Sequence, residues 1–412
     1  MIEPRTGLER AIDPLSIETF LADVWEKEPL VQARSAPSHF RSLTSVAEFD
    51  SIVASSGLRH PYFRVFRRGQ LLPVGQTTTS RQLGPDVDSG LADLNKLYDE
   101  YAVGGTLALQ AAERWWPPFR NLARDFQREL GFPAQVHVYL TPAGAQGAPV
   151  HYDTHDVFVL QVEGAKTWDV WRPTKELPLR LSEDDYDEVA VEVRSRSEPT
   201  LTVTLEAGHS LYLPRGFIHR ARTESTSSLH VTVSIMVDRW VDVAEAAIER
   251  RLTALRDLTD LRDSIPFGRT PMAKPTDGEI DRFRSGVEVL THELALDLEG
   301  GLASVREESR DYLTPTIRGR FVDLVEAPSL DGSAVLARRA EPIAAVIEAD
   351  GQTIIRSGSA EVPVDARHHA ALAFAMASAS FQPTELPGDL TAEERLAFAR
   401  RLVELGLCTV NR

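Results

Sequence analysis

The chain is short of cysteine, of basic charge and of long apolar runs. With 1 cysteine, Cys408, in 412 residues, it can form no internal disulfide and no cysteine-built zinc or iron–sulfur site. Any transition metal must therefore be held by His, Asp or Glu. Lys plus Arg total 45 against 61 Asp plus Glu, a formal charge of −16. Free nucleic acid is not expected as a general ligand, because phosphate binding needs local positive potential. An acidic surface suits a basic partner such as a ribosomal protein tail, and it suits plain solubility equally. The longest apolar stretches, at 157–160 and 370–377, fall far short of a membrane span. The opening MIEPRTGLERAIDPLS carries early acids and no apolar segment, so no secretion signal is expected and a cytoplasmic location is the simplest reading. There is no phosphate-cradling glycine motif, no CxxC, and no base motif beside Ser195, Ser210 or the other hydroxyls.

What is present divides into three textures, and the length alone predicts two or three compact units. Up to about residue 130, helical and strand patterns mix. Ser16 precedes Ile17, Phe20, Leu21, Val24 and Trp25 at helical spacing, Pro29 closes that run, and LVQAR reads as a short strand. Amphipathic helices are expected over 91–101 and over 119–130, the second stopped by Gly131 and Pro133. From Gln135 to about Val237 come seven short β-branched runs, QVHVYLTP, DVFVLQVEG, KTWDVWRP, VAVEVRS, TLTVTLEAG, SLYLPRG and HVTVSIMV, separated by Gly, Pro and acidic turns. Seven strands in about a hundred residues imply an antiparallel sandwich or barrel of the cupin or jelly-roll class. After Trp240 two long amphipathic segments flank the Pro/Gly loop IPFGRTPMAKPTDG. Their apolar stripes need a surface, either a second copy of the chain or the β region. From about Glu326 short helices and strands alternate in a unit of winged-helix proportions. The domains are thus expected at 1–240, 241–325 and 326–412.

The strongest chemical signal is PVHYDTHDVFVLQVEGAKTW followed by LYLPRGFIHRA. His151 and Asp153 are two apart on an expected strand, so their side chains share a face. His219 follows a later strand end, after the Pro214-Arg215-Gly216 turn, which would aim it. Two imidazoles and one carboxylate on one side of an ion form the facial arrangement of non-haem iron(II) sites, leaving three positions open for other ligands. A bare His-X-Asp is weak, since chance yields about one such pair at this composition. The residues alone leave two readings, an iron site and a set of hydrogen-bonded polar groups at a barrel mouth.

The segments VYLTPAGAQGAPVHYDTHDVFVLQVEGAKTWDVWRP and LYLPRGFIHRART…LHVTVS resemble the JmjC-type ribosomal oxygenases of the cupin-4 family, and FLADVWEKEPLVQAR is similar to that family's N-terminal signature. The resemblance implies an α+β fold: a double-stranded β-helix (JmjC/cupin jelly-roll) barrel, a helical dimerisation region and a small C-terminal winged helix. It implies iron(II), 2-oxoglutarate and dioxygen as cofactor and co-substrates, with hydroxylation of a side chain of a protein or peptide substrate, a ribosomal protein being one candidate. Carried over by position, His151, Asp153 and His219 match the metal ligands. Lys166 matches the residue that pairs with the distal carboxylate of 2-oxoglutarate, with Thr232 and Tyr139 beside it. Read without the motif, Lys166 is a surface hairpin lysine and the other two are ordinary strand residues.

Two positions depart from the family pattern. His137 stands where members often carry Asn, and Thr154 where they often carry a second acid, so the substrate is left open. His137 is read as lining the substrate pocket, His155 and His209 as solvent-facing, and His230 as structural. Hydroxylation of a free peptide or small natural product, a metal-binding cupin scaffold without turnover, and a zinc hydrolase are the alternatives. The C-terminal unit, with 8 Arg and no Lys against 12 acids from Glu326 onward, is expected to contact protein rather than DNA.

Overall fold

The computed structural model describes residues 6–179, 188–256, 262, 276–294, 298–312, 319–339, 344–349, 352–357 and 360–411. It divides into two compact units, Met1–Leu313 and Thr314–Arg412. Among the described residues no helix is long and apolar enough to cross a membrane.

The first unit opens with α1 (Gly7–Ile12) and α2 (Ile17–Asp23). Thr6 closes a capping box with Glu9 on the first, and the Ser16 side chain accepts the Thr19 N–H on the second, as its sequence position predicts. Strand β1 (Leu30–Gln32), helix α3 (Val46–Ser55), strands β2 (Phe63–Arg67) and β3 (Gln70–Leu71), and the hairpin β4 (Thr78–Leu83) and β5 (Asp86–Ala92) follow. The helix expected over 91–101 is α4 (Leu94–Ala102). Leu91 belongs instead to β5, because Asp93 caps the helix by accepting the Lys96 N–H. Strand β6 (Thr106–Leu109) leads to α5 (Pro117–Leu130), which Gly131 ends in the left-handed conformation at φ 77°.

The barrel is built from β7 (Ala134–Thr141), β8 (Asp156–Trp171), β9 (Leu201–Glu206), β10 (Ser210–Leu213), β11 (Ile218–Arg222) and β12 (Ser228–Ile235). All their pairings are antiparallel. The two runs DVFVLQVEG and KTWDVWRP form one strand, β8, whose first half pairs with β10 and β12 and whose second half pairs with β9 and β11. Gly164, at φ +67°, sits where the halves meet. A Cβ there would lie 1.8 Å from the Ser227 carbonyl oxygen, so only glycine fits. Along the first half the faces alternate. Phe158 and Leu160 join Phe20, Phe126 and Tyr212 in the core under α2 and α5, while Val157 and Val159 join Trp168, Leu213 and Phe217 in a second cluster. Phe158 lies 4.9 Å from both Phe126 and Tyr212 by ring centroid. Each such buried aromatic contributes roughly 1.5–3 kcal/mol by removal from water.

Two expectations are corrected. VAVEVRS is not a strand but part of helix α6 (Glu188–Ser195), in which Val191 is buried while Val189 and Val193 are exposed. Alternation marks a strand only where a sheet offers a partner, and here one valine has a core to reach. Strand β11 was not expected, because IHRAR carries charges at alternate positions and has few β-branched residues.

Helix α7 (Trp240–Leu255) and α8 (Asp277–Leu294) match the two amphipathic segments, and α9 (Leu298–Tyr312) is a third. The expected continuation of α7 and most of the Pro/Gly loop, at 257–261 and 263–275, lie outside the described residues. Helix α9 packs on α7 at Gly301, where a Cβ would sit 2.6 Å from the Val243 carbonyl oxygen.

The second unit holds α10 (Arg320–Glu326), β13 (Leu336–Arg338), a sheet of β14 (Ala344–Ala349), β15 (Gln352–Ser357) and β16 (Ala360–Pro363), then α11 (His369–Ala377), β17 (Ser380–Phe381), α12 (Ala392–Leu405) and β18 (Cys408–Val410). Strand β13 is central between β17 and β18. A core of Leu336, Leu372, Phe381, Leu402 and Cys408 holds it. An ion pair between Arg339 and the fully buried Asp323 ties α10 to the sheet, with Thr409 also donating to Asp323 at 2.9 Å.

Candidate metal centre

Backbone hydrogen bonds bring His151 and His219 together before their side chains meet. The two residues exchange both amide–carbonyl bonds, His151 N–H to His219 O at 3.1 Å and His219 N–H to His151 O at 2.7 Å. Their ring centroids lie 4.4 Å apart. The Pro214-Arg215-Gly216 turn does more than aim His219. The Gly216 N–H donates to the Asp153 carbonyl at 2.9 Å, so the same turn holds Asp153. Arg215, buried at 7% exposure, pairs with Glu26 at 2.9 Å.

His151, Asp153 and His219 present ligand atoms that all lie within 4.8 Å of one another. The Nε2 atoms of His151 and His219 stand 3.9 and 3.7 Å from Oδ1 and Oδ2 of Asp153 respectively. Nδ1 of His151 contacts the Pro149 carbonyl at 2.8 Å, and Nδ1 of His219 contacts the Phe217 carbonyl at 3.0 Å. A carbonyl can only accept, so each Nδ1 carries the proton and each Nε2 offers a lone pair to the centre. Burial alone would raise the Asp153 carboxyl, but His155, His151, His219 and His137 around it hold it down at about 2. Burial, reinforced by His151, lowers His219 to about 4. With both protons on Nδ1, the centre presents two bare imidazole nitrogens and a carboxylate, three acceptors with no hydrogen between them. That donor set fits a divalent cation.

The three face a cavity of about 460 Å³ lined by β2, β7, β8, β11 and β12. Lys166 lies in its wall, 3% exposed rather than on the surface, donating to Thr141 Oγ1 at 2.9 Å. No carboxylate among the described residues pairs with it, and burial lowers its pKa to about 7. Thr232 and Tyr139 line the same cavity, the Tyr139 hydroxyl facing Gln110 and Thr232. His137 lines it too. Its Nδ1 accepts the Ala111 N–H at 3.3 Å, and burial, then His155, lowers it to about 4.

Three histidine expectations change. His155 is not solvent-facing: it lines the cavity with its Nε2 3.9 Å from Asp153 Oδ1, because Asp153 and His155 lie two apart in the loop that enters β8. His230 lines the cavity as well, stacked on Tyr139 at 4.9 Å and 6°. Its register partner on β7 is Tyr139, which puts both on the inner face. His209 is half-buried and accepts the Glu206 N–H at Nδ1, 3.2 Å. Thr154 lines a neighbouring cavity instead. Sequence reasoning missed Thr141, although it shares strand parity with His137 and Tyr139. It also missed Arg64, Gln110 and Arg220, which only the closed barrel brings to the cavity.

Residues 115–243 match the JmjC domain family. The chain is 27% identical over 370 residues to ribosomal oxygenase 1 of Danio rerio, covering 86% of this chain and 65% of that protein. It is 30% identical over 306 residues to ribosomal oxygenase 2 of Rattus norvegicus, covering 72% and 61%. It is 30% identical over 264 residues to the bifunctional lysine-specific demethylase and histidyl-hydroxylase NO66 of Aedes aegypti, covering 62% and 39%. The chain thus spans less than two thirds of the length of each of these relatives. Among solved structures, Escherichia coli YcfD superposes over 97% of this chain and 99% of its own with TM-score 0.55 at 18% identity. The same fold is seen in that ribosomal oxygenase in complex with cobalt and 2-oxoglutarate, with TM-score 0.50. Residues 115–243 are thus similar to the JmjC domain family, and the chain as a whole is similar to the ribosomal oxygenases.

Proposed function

We propose that this chain is an iron(II)- and 2-oxoglutarate-dependent oxygenase that hydroxylates a side chain of a protein, a ribosomal protein being the substrate its relatives' names suggest. The observation that carries this reading is a pair of features in one cavity. One is a triad of acceptors without a shared proton; the other is a buried lysine with no carboxylate partner among the described residues. His151, Asp153 and His219 would hold the iron. Lys166 would pair with the distal carboxylate of 2-oxoglutarate, a charge-assisted contact in a low-dielectric wall. When bound, iron, 2-oxoglutarate and dioxygen together supply the oxidation that turns a C–H bond into C–OH, with succinate and carbon dioxide as co-products.

The chain's own residues divide the work of holding and orienting. The Pro149 and Phe217 carbonyls keep the two imidazoles in the ligating tautomer. Thr141 holds the Lys166 ammonium against the wall. Tyr139 and Thr232 offer hydroxyls to the co-substrate, and His137, Arg64 and Gln110 are left to orient the target.

The region 241–325, which holds most of α7 together with α8 and α9, is read as the dimerisation region, supported by Phe283 at 74% and Leu252 at 44% exposure. The unit from 326 onward is read as a winged-helix-like protein-contact domain, and the location as cytoplasmic. The test is anaerobic addition of iron(II) and then 2-oxoglutarate, followed by visible absorption. A charge-transfer band that vanishes in His151→Ala and needs far more 2-oxoglutarate in Lys166→Ala is expected. Bound iron without a band would overturn the oxygenase reading in favour of a metal-binding scaffold or a hydrolase.

A further inference from the structure

Asp153 has more histidine around it than a three-ligand centre uses. Its Oδ1 faces two ring nitrogens, Nε2 of His151 and Nε2 of His155, each at 3.9 Å, while its Oδ2 faces His219 at 3.7 Å. The two neighbours of Oδ1 differ in what they can offer. His151 has its proton fixed on Nδ1 by the Pro149 carbonyl, so its Nε2 meets the carboxylate with a lone pair. No carbonyl among the described residues fixes Nδ1 of His155 in this way, so its Nε2 is free to carry the hydrogen.

The loop that places His155 is held at three points. His151 is paired to β11, the Asp153 carbonyl accepts from Gly216, and Asp156 accepts the buried Tyr212 hydroxyl at 2.6 Å. His155 is one residue from that last anchor, so its ring is positioned by built structure.

We infer that His155 is a positioning residue for Asp153: its Nε2–H takes Oδ1, leaving Oδ2 as the single metal-facing oxygen. The 3.9 Å separation closes to hydrogen-bond length by a side-chain movement of about 1 Å, as such contacts do when a site is loaded. The physical purpose is coordination number. A carboxylate with both oxygens free can chelate an ion through two positions, and one of the three open positions would then be lost. A donor on the outer oxygen holds the carboxylate to one bond and fixes its plane. The inference rests on the metal-centre reading above and adds a residue that reading does not require.

The experiment is titration of the full metal-free chain with cobalt(II) under nitrogen, read by the d–d absorption bands, with manganese(II) electron paramagnetic resonance as a second measure of affinity. Wild type, His155→Ala, His155→Gln and Asp153→Ala are compared after circular dichroism has matched their folds. His155→Ala is expected to bind cobalt about 10- to 100-fold more weakly with altered band intensity. His155→Gln, whose amide N–H can reach the same oxygen, should recover most of the affinity and the wild-type spectrum. If His155→Ala binds with wild-type affinity and spectrum, the inference is overturned and the metal reading stands. If Ala and Gln are equally impaired, His155 is a ligand rather than a donor, and the inference is overturned too. Wild type that takes up no cobalt would overturn the metal reading and this inference with it.

Discussion

Replacing Lys166 with methionine should stabilise the ligand-free protein and at the same time remove its hold on 2-oxoglutarate. Lys166 is 3% exposed, it donates to the Thr141 hydroxyl with no carboxylate partner among the described residues, and burial lowers its pKa from 10.5 to about 7. A base whose folded pKa lies below its unfolded value binds fewer protons when folded. Stability therefore rises with pH between about 7 and 10.5, and the penalty is fully present below 7. That gap corresponds to about 4 kcal/mol at pH 7, an upper bound because water in the cavity screens the charge. Methionine fills a similar volume without the charge, so a gain of roughly 1–3 kcal/mol is expected near pH 6.5. The assay is urea denaturation of the metal-free chain and the variant at pH 6.5, 8 and 9.5. The gain should shrink steadily as pH rises. A gain that does not change with pH, or a loss at every pH, would refute the argument that an uncompensated buried ammonium is the cause. The same variant should bind 2-oxoglutarate about 1.5–3 kcal/mol more weakly, the value of one charge-assisted hydrogen bond, by calorimetry on the metal-loaded form.

Gly216→Ala should weaken cobalt binding at least about tenfold and cost about 1–2 kcal/mol of stability, since a left-handed φ of +88° disfavours any Cβ. That Cβ would also meet Pro178 Cδ at 2.8 Å and the Lys175 carbonyl at 2.9 Å. A cobalt titration and a thermal melt that both match wild type would refute this. Arg339→Ala should destabilise the C-terminal unit by about 3–5 kcal/mol, because it removes the ion pair that Arg339 makes with the fully buried Asp323 carboxylate. Hydrogen exchange of strands β13 and β18 reads that loss directly, and unchanged protection there would contradict it.

Much of the barrel was legible because its strands are fed by turns the chain spells out and its inner and outer faces alternate strictly. What the chain could not disclose was pairing. VAVEVRS has a strand's alternation and no sheet edge to join, whereas IHRAR has poor strand chemistry and the second half of β8 to lie against. At the centre, the His-X-Asp pair and the distal His219 were readable from spacing and resemblance. His155 and His230 were misplaced because a histidine's direction in a loop or on a two-sided strand depends on neighbours far along the chain. Thr141 was within reach of simple parity, standing two and four residues from Tyr139 and His137 on one face of β7. The carbonyl contacts that fix the histidine tautomers have no sequence signature, because any residue supplies a carbonyl.

The reciprocal backbone bonds between His151 and His219 bear on which ion the chain carries. Their spacing is fixed by reciprocal main-chain bonds rather than by an ion, so on the proposed reading the scaffold would not select a metal by folding around it. A preformed nitrogen–oxygen site follows the general order of divalent affinities, in which nickel, copper and zinc outbind iron(II). On that reading, loading with iron would then depend on supply within the cell rather than on discrimination by the protein. A copy that captures zinc would, on the same reading, lack oxygenase activity, so the metal content of a purified sample would record the medium in which the cells grew.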